Sequence, residues 1–164
     1  MENNFLKELQ KLSTMSRKNR NLRPTLENCL LFAFHQPKPL FGDKERAEIE
    51  CMVEKIIPIL KEFFIQLSIS LVPDTVETAQ RFRSGLQYIV DELGNGSILD
   101  RVPCVQVDEY IKNCKELSLP IEYPSVHYSH VTDEQISRIP HNHWWWFVQP
   151  ISDNDSDEQQ DEKV

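Results

Sequence analysis

Ile49-Glu50-Cys51-Met52-Val53-Glu54-Lys55-Ile56-Ile57-Pro58-Ile59-Leu60-Lys61-Glu62-Phe63-Phe64-Ile65-Gln66-Leu67 is the stretch that decides the fold class. Ile49, Val53, Ile56, Leu60, Phe63 and Leu67 follow one another at steps of 4, 3, 4, 3 and 4 residues, the recurrence that lines one side of an α-helix. Met52, Ile57, Ile59 and Phe64 widen that face beyond the narrow seam of a two-stranded coiled coil, so the segment reads as a core helix from Lys44 to Leu71. Asp43 is its expected N-cap. Pro58 lacks an N–H and collides with the preceding turn, so a kink or a restart is expected near Ile57.

On the C-terminal side, Asp74 with Glu77 resembles a capping box. Val76, Ala79, Phe82, Leu86, Ile89 or Val90, and Leu93 trace a second buried stripe, giving a helix from Thr75 to Leu93. Gly94 fits the left-handed residue that closes a helix. Gly85, inside this helix, costs about 1 kcal/mol relative to alanine, which points to a neighbour packed closely there. Arg81 and Arg83 are read as parts of a solvated face. The two long helices are expected to pack together as the centre of the fold.

On the N-terminal side, Phe5, Leu9 and Leu12 mark a first amphipathic helix from Asn4 to Leu12. Arg17, Lys18, Arg20 and Arg23 then form a basic linker. Thr25 is the expected N-cap of a short helix through Leu26, Cys29, Leu30 and Ala33 that stops before Pro37. Leu40, Phe41 and Gly42 read as the entry turn of the long helix, with Phe41 as an apolar anchor. Beyond the second long helix, a short helix is expected from Asp108 to Leu117 and an extended run between Glu116 and His130. A capping box at Thr132 to Gln135 then opens a helix that ends before Pro140.

The chain has 164 residues, enough for one core. The expected fold is mostly α, a compact single-domain bundle of about five to six helices with an extended Trp-rich strap and a disordered acidic tail. In this division residues 1–24 are the N-terminal helix and basic linker, 25–150 the helical domain, and 151–164 the tail. No membrane span is expected, because Pro58, Lys61 and Glu62 interrupt the most apolar stretch. Met1 to Leu12 show no secretory pattern. Cys29, Cys51, Cys104 and Cys114 are widely spaced, which suits reduced thiols in an intracellular protein, cytoplasmic or nuclear.

Composition narrows the function classes. Only 4 glycines leave little for phosphate-cradling loops, and neither dinucleotide nor P-loop spacing occurs. The formal charge is −8, but residues 151–164 hold six acids and one base, so the rest of the chain carries only −3. Nucleic acid is therefore disfavoured less by net charge than by the lack of aromatic residues among Arg17, Lys18, Arg20 and Arg23.

Two local patterns remain. Trp144, Trp145 and Trp146 stand in a row, and neither helix nor strand can turn three consecutive rings to one side. Some indole surface is thus expected to be exposed or to meet a partner protein, with Pro140, His143 and Phe147 beside it. The alternative is a terminal strap that completes the core. His127, His130, His141 and His143 form a dense histidine group that admits a zinc-binding reading, since His-x-His puts two ligands on one side of an extended strand, although no cofactor is expected, no H-E-x-x-H helix occurs and no cysteine lies nearby. Pairing of Cys104 or Cys114 with a histidine has no supporting motif. Ser152 and Ser156 precede acidic residues and are candidate phosphorylation positions.

The reading that follows is a non-catalytic interaction or regulatory subunit. Its rivals are a histidine-rich metal enzyme or sensor, and an acidic inhibitor of a basic protein such as a nuclease.

Overall fold

A computed structural model describes residues 3–70, 76–113 and 131–146. These residues are mostly helical, with no strand among them. The helices are α1 (Asn4–Thr14), α2 (Leu22–His35), α3 (Arg46–Ser70), α4 (Val76–Leu93), α5 (Ile98–Arg101), α6 (Val105–Asn113) and α7 (Asp133–Ser137). None of the described helices is long and apolar enough to cross a membrane. By its contacts the chain divides into two units, Met1–Asp108 and Glu109–Val164. The boundary drawn at residue 24 falls inside the first unit, because α1 packs on α2 and α3 and buries Phe5, Leu9 and Leu12 in one core with them.

The apolar recurrence of α3 is buried as read: Ile49, Val53, Ile56, Leu60, Phe63 and Leu67 are all below 5% exposed. The helix begins at Arg46 and runs unbroken through Pro58, so no restart occurs at Ile57. Pro58 and Glu54, whose carbonyl loses the missing N–H, are both exposed, so water can serve that carbonyl. Glu45, not Asp43, sits at the helix entry. Its carbonyl accepts from the Ile49 N–H at 2.9 Å, and its side chain accepts from the Gly42 N–H at 2.9 Å.

The long helices are not the centre of the unit. They meet at an edge-on contact between Phe63 and Phe82, with ring centroids 5.3 Å apart, whereas α2 packs extensively on both α1 and α4. Gly85 is what lets α4 approach α2: a Cβ built there would lie 2.2 Å from the Leu30 carbonyl oxygen. Gly94 ends α4 at φ +65°, with the Asn95 N–H donating to the Val90 carbonyl and the Gly94 N–H to that of Asp91. That pair of bonds is the Schellman closure.

Helix α2 starts earlier than expected. Asn21 precedes it, and the Thr25 N–H already donates to the Asn21 carbonyl at 3.0 Å, so Thr25 lies within the helix with its side chain buried. Pro24 therefore sits in the first turn, where an N–H would have no helical partner and its loss costs little. The end of α2 is tied to the start of α1. The Phe5 N–H donates to Gln36 Oε1 at 3.0 Å, and Gln36 Nε2 donates to Asn3 Oδ1 at 3.0 Å. Asn3 in turn caps α1 by accepting from the Leu6 N–H at 3.0 Å. The turn that follows buries Leu40 and Phe41, and the Leu40 N–H donates to Glu92 Oε1 of α4 at 2.7 Å.

Arg83 departs from expectation. It is 6% exposed, not solvated, and its Nε donates to Asp108 Oδ1 at 2.9 Å while Nη1 donates to Gln87 Oε1 at 3.0 Å. A guanidinium removed from water requires such partners, because desolvation of an unpaired cation is costly.

Candidate functional site

In the second unit the described residues are those of α6 from Glu109 onward and 131–146. Thr132 opens α7 as the sequence predicts. Its hydroxyl accepts from the Gln135 N–H at 3.2 Å, and the Gln135 side chain accepts from the Thr132 N–H at 3.0 Å. Two tight turns follow. The His143 N–H donates to the Pro140 carbonyl at 3.0 Å, and the Trp146 N–H to the His143 carbonyl at 3.1 Å.

Those bonds wind Trp144–Trp146 into a single 3₁₀ turn. Three residues complete one such turn, so three consecutive rings leave the axis about 120° apart. Trp145 and Trp146 are 1% and 2% exposed, and Trp144 stays partly exposed. Buried His143 stacks on Trp145, with centroids 4.9 Å apart and planes 21° apart. Trp144 meets Trp145 edge-on at 5.7 Å, and the Lys112 ammonium lies 5.6 Å from the Trp144 ring centroid. A cation at that range interacts favourably with the face of an indole ring.

The predicted partner surface is thus divided by burial. Trp144 and Pro140 are accessible in part, His143, Trp145 and Trp146 are buried, and Phe147 lies outside the described residues. Lys112 joins Trp144 from more than thirty residues away in sequence. No local pattern announces that pairing. Among the histidines, His141 is exposed and His143 buried, and His127 and His130 lie outside the described residues. The described residues contain no group of three or more side chains able to hold a metal ion. Ser152 and Ser156 also lie outside them.

Cys29 and Cys104 are buried. Burial pushes the Cys104 thiol up to about 11, against the opposing pull of Arg83, and raises that of buried Cys29 further. Both therefore hold their protons near neutrality, where only a thiolate attacks. Cys51 is exposed. A thiol reagent such as dithionitrobenzoate at pH 8 is expected to modify Cys51 in the folded protein and to reach Cys29 and Cys104 only after denaturation. Fast modification of Cys104 in the native state, read by mass spectrometry of the labelled peptides, would contradict the burial argument.

The basic linker is an ordered turn. The Asn19 N–H donates to the Ser16 carbonyl at 3.0 Å, the Leu22 N–H to the Asn19 carbonyl at 3.0 Å, and the Asn21 N–H to Asn19 Oδ1 at 2.8 Å. Arg17 pairs with Glu62 at 3.0 Å, and the Arg23 guanidinium lies 5.5 Å from the Phe63 ring centroid. An aromatic ring does therefore join the basic residues in space. It is 4% exposed and offers no face for a base to stack on.

The chain matches no family model, and comparisons with curated proteins and with solved structures find no match.

Proposed function

We propose that the chain is a small intracellular interaction or regulatory subunit, with no chemistry of its own, that binds a partner protein through Trp144 and the adjacent Pro140 and Lys112. The observation that carries this reading is the unequal burial of three consecutive tryptophans, with two rings sealed away and one left accessible on the same turn. Indole is the side chain most often found at the energetic centre of protein interfaces, because it joins a large apolar area to an N–H donor. Packing against Trp145 already limits the rotamers of Trp144, so little side-chain freedom is lost on binding. Lys112 adds a charge that favours a partner with a carboxylate or carbonyl beside its apolar contact.

The intracellular assignment is supported by the free thiol of exposed Cys51, which suits a reducing compartment. Phosphorylation at Ser152 or Ser156 would place up to about two negative charges each in the chain that follows the Trp turn, a means of weakening an acidic partner.

Affinity purification from the native source with quantitative mass spectrometry, wild type beside Trp144→Ala, tests the reading. The variant is expected to stay folded with a loss of about 1–3 kcal/mol, because its ring is only partly buried, and circular dichroism of the purified variant checks that. Recovery of the partner should fall about tenfold, the effect of a modest hot spot. If every protein retained by the wild type is retained equally by folded Trp144→Ala, the reading fails.

A further inference from the structure

We propose that the groove between the α1–α2 linker, the first turn of α2 and the middle of α3 is a second docking site, which takes an acidic peptide segment with an apolar anchor from a partner protein. This site does not depend on the Trp144 reading. It is a pocket of about 240 Å³ with Leu22, Ile59 and Phe63 among its apolar lining and exposed Arg17, Arg20 and Arg23 around them. Glu62 is the one carboxylate in that lining.

Charge identifies the occupant. Three guanidiniums against one carboxylate give the pocket a positive excess in a chain whose formal charge is −8. Its present pairings are weak enough to exchange. Arg17 and Glu62 are each 58% exposed, and Arg23 stands 3.8 Å from Glu27 with its own side chain 51% exposed. Exposed pairs of this kind contribute little, so an incoming carboxylate can replace Glu62 at Arg17 at small cost. Arg20 is exposed, and no ion pair holds it among the described residues. The start of α2 reinforces the preference: its first turn holds no acid, and Asn21 makes no side-chain cap, so the positive end of the helix is not neutralised locally.

The apolar lining decides between peptide and nucleic acid. Leu22 and Ile59 are partly exposed and offer an aliphatic surface, while Phe63 lies beneath Arg23 and cannot stack a base. A peptide can instead set one apolar side chain on Leu22 and Ile59 and direct flanking carboxylates to the arginines, where bidentate bonds are available.

The test uses the full chain and fluorescence anisotropy with three labelled probes. The first is a short peptide of alternating Asp and Glu around a central Leu-Leu pair, the second the same peptide with Ser-Ser at the centre, and the third an oligothymidylate of equal charge. The first should bind about tenfold more tightly than the second, the worth of burying about two methylenes or more, and more tightly than the DNA. Arg20→Glu should weaken the first about tenfold with no change in melting temperature. Ile59→Asp should abolish the preference between the peptides, and Trp144→Ala should leave all three affinities unchanged. Failure of the first peptide to bind, equal binding of the two peptides, tightest binding of the DNA, or indifference to Arg20→Glu would each overturn the proposal.

Discussion

Trp145→Ala is expected to lower the unfolding free energy by about 3–5 kcal/mol, whereas Trp144→Ala, one residue away with the same atoms removed, is expected to cost less, about 1–3 kcal/mol. The difference comes from burial alone. Trp145 is 1% exposed, stacks on His143 and meets Trp144 in an edge-to-face contact. Sealing an indole removes some 150–250 Å² from water, which at about 25 cal/mol per Å² sets a ceiling of roughly 4–6 kcal/mol. Truncation to alanine forfeits most of that and leaves a cavity. Trp144 keeps part of its ring in water, so part of its transfer energy was never gained. Urea titration followed by far-UV circular dichroism measures both, since a fluorescence signal would change with the tryptophan count itself. Equal losses from the two variants would mean that the 3₁₀ turn does not separate the rings as described.

That contrast also separates the two roles open to the tryptophan run. A strap needs Trp145 and Trp146; a partner surface needs Trp144. A variant that unfolds the protein and loses a partner says nothing about contact, because loss of structure removes both. Trp144→Ala is informative because it is expected to spare the fold, whereas His143 is buried with the Trp145 ring it stacks upon.

Helical identity was legible wherever burial repeats along one segment. The α3 recurrence, the α4 stripe, the Gly94 closure and the Thr132 capping box all rest on residues within a few positions of one another, and local chemistry determines them. Packing partners were not legible in the same way. Length and apolar content favoured α3 and α4 as the centre, yet the contact between α2 and α4 depends on an absent side chain at Gly85 and a carbonyl fifty-five residues earlier. Arg83 shows a conflict the sequence contained. Ala79, Arg83, Leu86 and Val90 are spaced at 4, 3 and 4, so periodicity puts Arg83 on the buried side while its charge argues for solvent. Periodicity prevails because Asp108 and Gln87 supply hydrogen bonds in place of water. The proximity of Lys112 to Trp144, and of Phe63 to Arg23, arises only on folding.

Gly85→Ala is expected to destabilise the first unit by about 2–3 kcal/mol, although alanine is the better helix former by about 1 kcal/mol. The added methyl would lie 2.2 Å from the Leu30 carbonyl oxygen and 2.9 Å from its carbon. Both atoms are backbone, so no rotamer change relieves the contact, and α2 must move away from α4 or bend. Moving α2 also disturbs what it carries on its other side, because α1 packs there and its first turn is fastened to Gln36 at the end of α2. Overpacking therefore outweighs the gain in propensity. Two other glycines calibrate the result. Gly96→Ala meets nothing within 4 Å and has no positive φ, so it should change stability by less than about 0.5 kcal/mol. Gly94→Ala also meets nothing but must hold φ +65°, and should cost about 1–2 kcal/mol through backbone strain alone. The order Gly85, Gly94, Gly96 in decreasing loss, read from urea midpoints, is the outcome that close helix approach requires. A Gly85→Ala protein as stable as the wild type would show that α2 and α4 do not meet through this glycine.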